Sequence, residues 1–247
     1  MTDPLSPPLA IPERALAIGA HPDDVEFGAG GTLARWAAAG CEVSLLVLTD
    51  GSKGSWDPDE DQPTLVARRQ REQRSAAAAL GVRGEIEFGG WIDGELDSGV
   101  RQRIQVIAAI RRLRPDVVLG HDPWKRYRLH PDHRHAGLLV TDGIVGARDP
   151  LFYPEIALAP HRPRTLLLFE ADEPDHVEPI DSSIEHKVAA LLEHRSQRST
   201  TMNFSTDPER ETDEADAFAR KIYDDAVLAG KLANTALGEA FKQIDEL

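Results

Sequence analysis

The chain has 247 residues, with 28 Lys and Arg against 42 Asp and Glu for a formal net charge of −14, and one cysteine. That length suffices for one α/β unit with its own core. A lone cysteine excludes an intrachain disulfide and a cysteine-rich zinc cluster, and the acidic balance argues against nucleic acid or an anionic membrane as partner.

Residues 1–13 combine proline and acid without the basic and apolar regions of a secretory signal. They predict a flexible leading segment on a soluble, cytoplasmic protein. No apolar run reaches the roughly 18 residues of a membrane span. From there the pattern alternates. Residues 14–20 (RALAIGA) form a short apolar strand, 28–39 a helix, and 43–48 (VSLLVL) a strand covered on both faces. The loop 51–63 (GSKGSWDPDEDQP) leads to an Arg- and Ala-rich helix over 65–80, closed by Gly81. A helix follows over 100–113, stopped by Pro115, then a strand over 116–120 and a helix over 131–145. The strand 165–169 and the helix 184–194 complete the series. Such alternation predicts a doubly wound, mostly parallel sheet with helices on both faces, comprising a catalytic α/β domain over 14–200. The segment 201–247 turns acidic and then amphipathic, which predicts a C-terminal helical extension packed on the same domain or on a neighbouring subunit. A homo-oligomer is left open.

Chemistry concentrates where strands end. His21-Pro22-Asp23-Asp24 follows the first strand, at the carboxyl edge where open parallel sheets bind ligands. Read alone, it could be only an Asx-type turn capping a helix. The device recurs, however: after the strand 116–120 come His121-Asp122 and then His130-Pro131-Asp132-His133, with proline opening the helix. His21, Asp24 and His133 together offer three metal ligands, leaving Asp23 as a free carboxylate and His130 as a free imidazole. Three N/O ligands with an open position suit catalytic Zn2+, and the same set would accept Fe2+ or Mn2+. A free carboxylate and a free imidazole beside a metal-activated water are a natural base and acid. Asp132 or Asp122 is placed to orient His130. The residues read as a metal hydrolase.

The run Ala20 to Leu33 (AHPDDVEFGAGGTL) with His130-Pro-Asp-His133 resembles the PIG-L/LmbE zinc-dependent N-deacetylases, its HPDDVE variant resembling the bacillithiol-pathway branch. Arg69-x-x-Glu72, Ala76 to Gly81, Arg114 to Val118 and His194-x-Ser-Gln197 extend the match over roughly 14–200. The resemblance implies a Rossmann-like fold and hydrolysis of the acetyl group from an N-acetylglucosamine-type conjugate. It implies metal on His21, Asp24 and His133, Asp23 as base, His130 as acid and oxyanion stabiliser, and Arg69 as a substrate contact. Tyr127, in the charged loop Lys125 to Arg128, is a candidate at the oxyanion.

Other residues carry two readings each. Trp56 and Trp124 could stack on a sugar or merely pack their loops, and His194 could line the pocket or end its helix. Gly28-Ala-Gly30-Gly31 lacks the third glycine of a dinucleotide fingerprint, so close helix–sheet packing is expected instead. The expected partner is a small amino-sugar conjugate. Two alternatives remain: hydration of an unsaturated dicarboxylic acid on the same fold, favoured by Lys125, Arg126 and Arg128, and a non-catalytic binding module.

Overall fold

A computed structural model describes residues 5–247. Seven strands form one sheet: β1 Arg14–Gly19, β2 Glu42–Thr49, β3 Ile86–Trp91, β4 Val117–His121, β5 Thr165–Phe169, β6 His176–Pro179 and β7 Gly238–Asp245. Their order is β3-β2-β1-β4-β5-β7-β6. β1 to β5 run parallel, and β7 lies antiparallel between β5 and β6. The helices are α1 Asp24–Ala38, α2 Gln62–Ala79, α3 Val100–Leu113, α4 Pro131–Arg148, α5 Ile184–Glu193 and α6 Glu211–Ala233. None is long and apolar enough to cross a membrane.

Strand periodicity divides the core. Leu16, Ile18, Leu46, Leu48, Val118, Leu166 and Leu168 pack with α3 and α4 on one face. The alternate residues Ala15, Ala17, Val43, Leu45, Val117, Leu119 and Leu167 pack with α1 on the other. The doubly wound architecture is as expected. α1 begins at Asp24, earlier than the expected 28, because the proline turn ends there and Asp24 and Glu26 favour a helix start. The glycines of α1 serve close packing: a Cβ on Gly28 would come within 2.5 Å of the Phe169 ring, and one on Gly31 within 2.8 Å of Ile180.

The C-terminal part departs from the expected all-helical extension. α6 stops at Asn234, which takes a left-handed conformation (φ 56°), and the chain returns as β7 with Phe241 fully buried. Asn in that conformation is a helix-ending signal; the charged residues of GEAFKQID mask the strand behind it. β3 and β6 also escape a hydrophobicity reading. β3 is only half-buried at the sheet edge, and β6 is four residues long with buried His176 and Glu178. Of the segment 1–13 expected to be flexible, residues 1–4 lie outside the described residues. Ser6 donates to Gln243 Oε1 at 2.6 Å and its Oγ lies 2.8 Å from His176 Nδ1, while the Leu9 N–H donates to Glu178 Oε1 at 2.8 Å.

β7 reaches across to α1 through a buried ion pair. Glu239 accepts from Lys187 Nζ at 2.6 Å and from the backbone N–H groups of Gly31 and Thr32 at 2.9 and 2.7 Å. Lys187 also donates to the Phe27 carbonyl at 2.7 Å. Removing one partner strands a buried charge, so Lys187→Met should lower the unfolding free energy by about 3–5 kcal/mol in urea titration. The double variant Lys187→Met/Glu239→Gln should lose less than the two single changes summed. Cys41 is buried, and burial pushes its thiol up to about 12. It should resist a thiol-specific chromogenic reagent at pH 8 in the native protein and react once urea unfolds the chain.

Candidate metal centre and active site

Strand order reverses between β1 and β4, so a crevice opens at their carboxyl ends. His21 follows β1, His121 ends β4, Asp93 follows β3 and Glu170 follows β5. The HPDD turn is tightly constrained. Asp23 sits at φ 98°, a left-handed conformation that costs a non-glycine residue roughly 1–3 kcal/mol. Its N–H donates to Gln73 Oε1 at 3.1 Å, and the preceding Pro22 carbonyl accepts from Arg69 Nη2 at 2.8 Å. The Asp23 side chain makes no cap hydrogen bond to α1. Instead, the Asp24 carboxylate accepts the His21 N–H at 2.6 Å.

That turn and the start of α4 bring three donors to one point. His21 Nδ1 lies 3.2 Å from His133 Nε2 and 3.3 Å from Asp24 Oδ2, and His133 Nε2 lies 3.3 Å from Asp24 Oδ1. A tetrahedral ion with bonds of about 2.0–2.1 Å has donor–donor edges of about 3.3–3.4 Å, close to the His21–His133 separation, and Asp24 turns one oxygen to each ring. The hydrogen-bond pattern fits too. His21 presents Nε2 to Asp132 Oδ2 at 3.1 Å and Asp93 Oδ1 at 3.2 Å, so Nδ1 is the nitrogen turned towards Asp24 and His133, and an ion there would replace its proton. Burial alone would discharge His21, but the hydrogen bonds its ring donates to Asp132, Asp24 and Asp93 outweigh it and raise its pKa well above 6.5. Burial would likewise neutralise Asp24, but the charges of His133 and His121 hold its carboxyl well below the usual range. The cluster can hold a metal ion.

Asp132 was expected to orient His130. The structure joins it instead to His21 and to the backbone N–H groups of Gly94 and Leu96, at 2.6 and 3.3 Å, because the start of α4 points its carboxylate under the His21 ring. His130 is exposed, its ring centroid 4.7 Å from that of His21. Partial burial and the His21 and His133 imidazoles lower its pKa, making its protonated form a stronger donor. The Asp23 carboxylate makes no hydrogen bond among the described residues, and Arg69 Nη2 is 3.6 Å away. Burial outweighs that cation and pushes Asp23 up to about 6.

A cavity of about 480 Å³ joins these groups, lined by His21, Asp23, Asp24, Arg69, His130 and His133 among others. The remaining expected substrate contacts lie outside its wall. Trp124 and Tyr127 are 64% and 87% exposed on the loop before α4, where Tyr127 adopts a left-handed conformation that turns it outward. His194 is wholly buried at the end of α5, its Nε2 3.5 Å from Glu26 Oε2, and neither ring nitrogen has a hydrogen-bond partner. Glu26 accepts from Gln73 Nε2 at 2.6 Å, so His194, Glu26 and Gln73 form a buried chain behind the Asp23 turn. Arg69 is itself buried and also donates to the Gly51 carbonyl at 3.0 Å.

Sequence reasoning passed over Asp93, His121, Glu170 and Gln73. His121 Nε2 lies 3.2 Å from Asp24 Oδ2, and its Nδ1 3.2 Å from Glu170 Oε2, forming a carboxylate–imidazole–carboxylate relay. His121 and His133 hold Glu170 at about 2 despite its burial. The strand-end rule that singled out His21 applies equally to Asp93, His121 and Glu170, but β3 was not recognised. Gln73 carried no signal of its own. Gln73→Leu orphans two buried partners and should lower stability by about 2–4 kcal/mol in urea unfolding, with metal content unchanged.

Comparison with known proteins gives the chain a family. The PIG-L family model, described as GlcNAc-PI de-N-acetylase, matches residues 16–144. Diacetylchitobiose deacetylase from Thermococcus kodakarensis is 35% identical over 190 residues, covering 75% of this chain and 70% of that protein. The 1D-myo-inositol 2-acetamido-2-deoxy-alpha-D-glucopyranoside deacetylase of Actinosynnema mirum is 31% identical over 163 residues, 56% of this chain and 57% of that one. N,N'-diacetylchitobiose deacetylase from Pyrococcus horikoshii superposes with a TM-score of 0.83 at 28% identity, over 95% of this chain and 84% of its own.

Proposed function

Because the chain belongs to the PIG-L family of de-N-acetylases, we propose that it is a zinc-dependent hydrolase that removes the acetyl group from an N-acetylglucosamine-type conjugate. The observation that carries the reading is the division of one crevice. His21, Asp24 and His133 converge within 3.2–3.3 Å, while the adjacent Asp23 carboxylate and the exposed His130 stay uncommitted beside them. A binding module needs neither of the last two. The similarity to deacetylases favours amide hydrolysis over hydration of a dicarboxylate.

His21, Asp24 and His133 would hold a divalent ion, which would supply Lewis acidity towards the amide carbonyl and a water of lowered pKa. The donor set favours Zn2+, with Fe2+ or Mn2+ also accommodated. Asp23, raised to about 6 by burial, is basic enough to take the proton of the attacking water near neutral pH. His130 stands on the same cavity wall, where its protonated form, the minor one at neutral pH, is placed to give a proton to the departing sugar amine and to offset the charge of the oxyanion. Asp132 positions His21 rather than His130. The buried Arg69 Nε has no hydrogen-bond partner, which supports a role for Arg69 in receiving a substrate oxygen.

Two variants separate these roles. His133→Ala should lose both bound metal and acetate release. Asp23→Ala should retain metal, measured by atomic emission, and lose about 10²–10⁴-fold in turnover on N-acetylglucosamine conjugates. Metal loss in Asp23→Ala would overturn the assignment of base and ligands, and acetate release from no conjugate by the zinc-loaded protein would overturn the activity.

A further inference from the structure

The loop between β2 and α2 carries an aromatic residue that the chemistry above does not use. Trp56 lines the mouth of the catalytic cavity and is 80% exposed, whereas Trp36 in α1 is fully buried. Tryptophan is highly buried on average, so an indole left in water calls for a reason. Slackness of the loop is not that reason. The Lys53 N–H donates to Asp93 at 3.2 Å, the Gly54 carbonyl accepts from Gln197 Nε2 at 3.0 Å, and Ser55 Oγ donates to Glu60 at 3.2 Å. A Cβ on Gly54 would come within 2.3 Å of Arg69 Nη1, so the backbone is seated against the guanidinium. The ring is presented from a fixed base.

Depth decides what it touches. His21, Asp23 and Asp24 are 5–8% exposed at the cavity floor, so a substrate with its acetamide there can meet Trp56 only with its far end. The volume of about 480 Å³ lies within the usual range of about 300–1,000 Å³ for drug-sized ligands, leaving room beyond one sugar ring. Charge decides the chemistry of that far end. Two cations of the wall are paired, Lys53 Nζ with Glu95 at 3.1 Å and Arg128 Nη1 with Glu170 at 3.1 Å, while the third, Arg69, is buried beside Asp23 at 3.6 Å. Asp57, Asp59, Glu60 and Asp61 follow Trp56 directly. An anionic group there would have to displace Glu95 or Glu170 to gain Lys53 or Arg128.

We propose that Trp56 is the platform of an aglycone subsite that selects a neutral ring, a second sugar or a cyclitol stacked through its C–H face, over a phosphate or carboxylate. The assignment rests on the deacetylase reading above. Trp56→Ala removes an exposed side chain and should leave the thermal midpoint unchanged. The test compares kcat/KM for N,N'-diacetylchitobiose, N-acetylglucosamine and N-acetylglucosamine 1-phosphate. The wild type should prefer the neutral disaccharide, and Trp56→Ala should cut its preference over the monosaccharide about five- to tenfold, mainly through KM, with Trp56→Phe restoring most of it. Equal losses on both, an unchanged ratio or a wild-type preference for the phosphate would overturn the subsite.

Binding is read separately by indole fluorescence in the Asp23→Ala background. Quenching by diacetylchitobiose that vanishes with Trp56→Ala upholds the platform even if no acetate is released, a result that would sink only the deacetylase reading. Quenching that persists in Trp56→Ala sinks the platform.

Discussion

Four aspartates in one crevice set the terms for everything around them. Asp23, Asp24, Asp93 and Asp132 are all at most 8% exposed, and negative charge buried at that density is untenable unless answered. The fold answers from several directions. Backbone N–H groups of Gly94 and Leu96 serve Asp132, that of Lys53 serves Asp93, and that of His21 serves Asp24. Imidazoles from the turn after β1, from β4 and from α4, and the guanidinium of Arg69, supply the rest of the compensation. The loops after β2 and β3 owe their courses to these bonds as much as to apolar packing. A divalent cation is the complement this arrangement is shaped to receive.

Within that crowd, two adjacent aspartates behave oppositely. Asp24 is driven strongly acidic and Asp23 is pushed up to about 6. Backbone geometry separates them. The left-handed φ of Asp23 breaks the chain's direction, so Asp24 faces His121 and His133 while Asp23 faces the cavity, with Arg69 Nη2 3.6 Å away. Pairs of like groups driven apart by their surroundings mark the division of acid–base labour. Here the separation comes from one strained residue, which Gln73 and Arg69 hold from α2.

Much of this was legible in the sequence. The buried strands β1, β2, β4 and β5 announce themselves as apolar runs, and the two His-Pro-Asp steps mark the carboxyl edge where they end. Local signals fix local geometry, so the HPDD turn and the proline start of α4 could be read directly. What escaped depends on partners distant in the chain. β7 looks polar because Glu239 is buried by pairing with Lys187, not by hydrophobicity. Asp132 serves His21 rather than its neighbour His130 because the direction of α4 aims it there. His194 and Glu26 are titratable groups sealed in the interior, a placement no periodicity reveals.

The reach of Glu239 to α1 also orders the protein's assembly. Its hydrogen bond to Gly31 spans 208 residues of sequence, and on a ribosome the helix that opens with the catalytic turn emerges long before its partner does. Until that late strand is made and inserted between β5 and β6, the mid-helix N–H groups and the Phe27 carbonyl lack their charged partners. Contacts of such separation form late, after the entropy of closing the intervening chain has been met. The support behind α1 is therefore completed late, although the helix itself is made early.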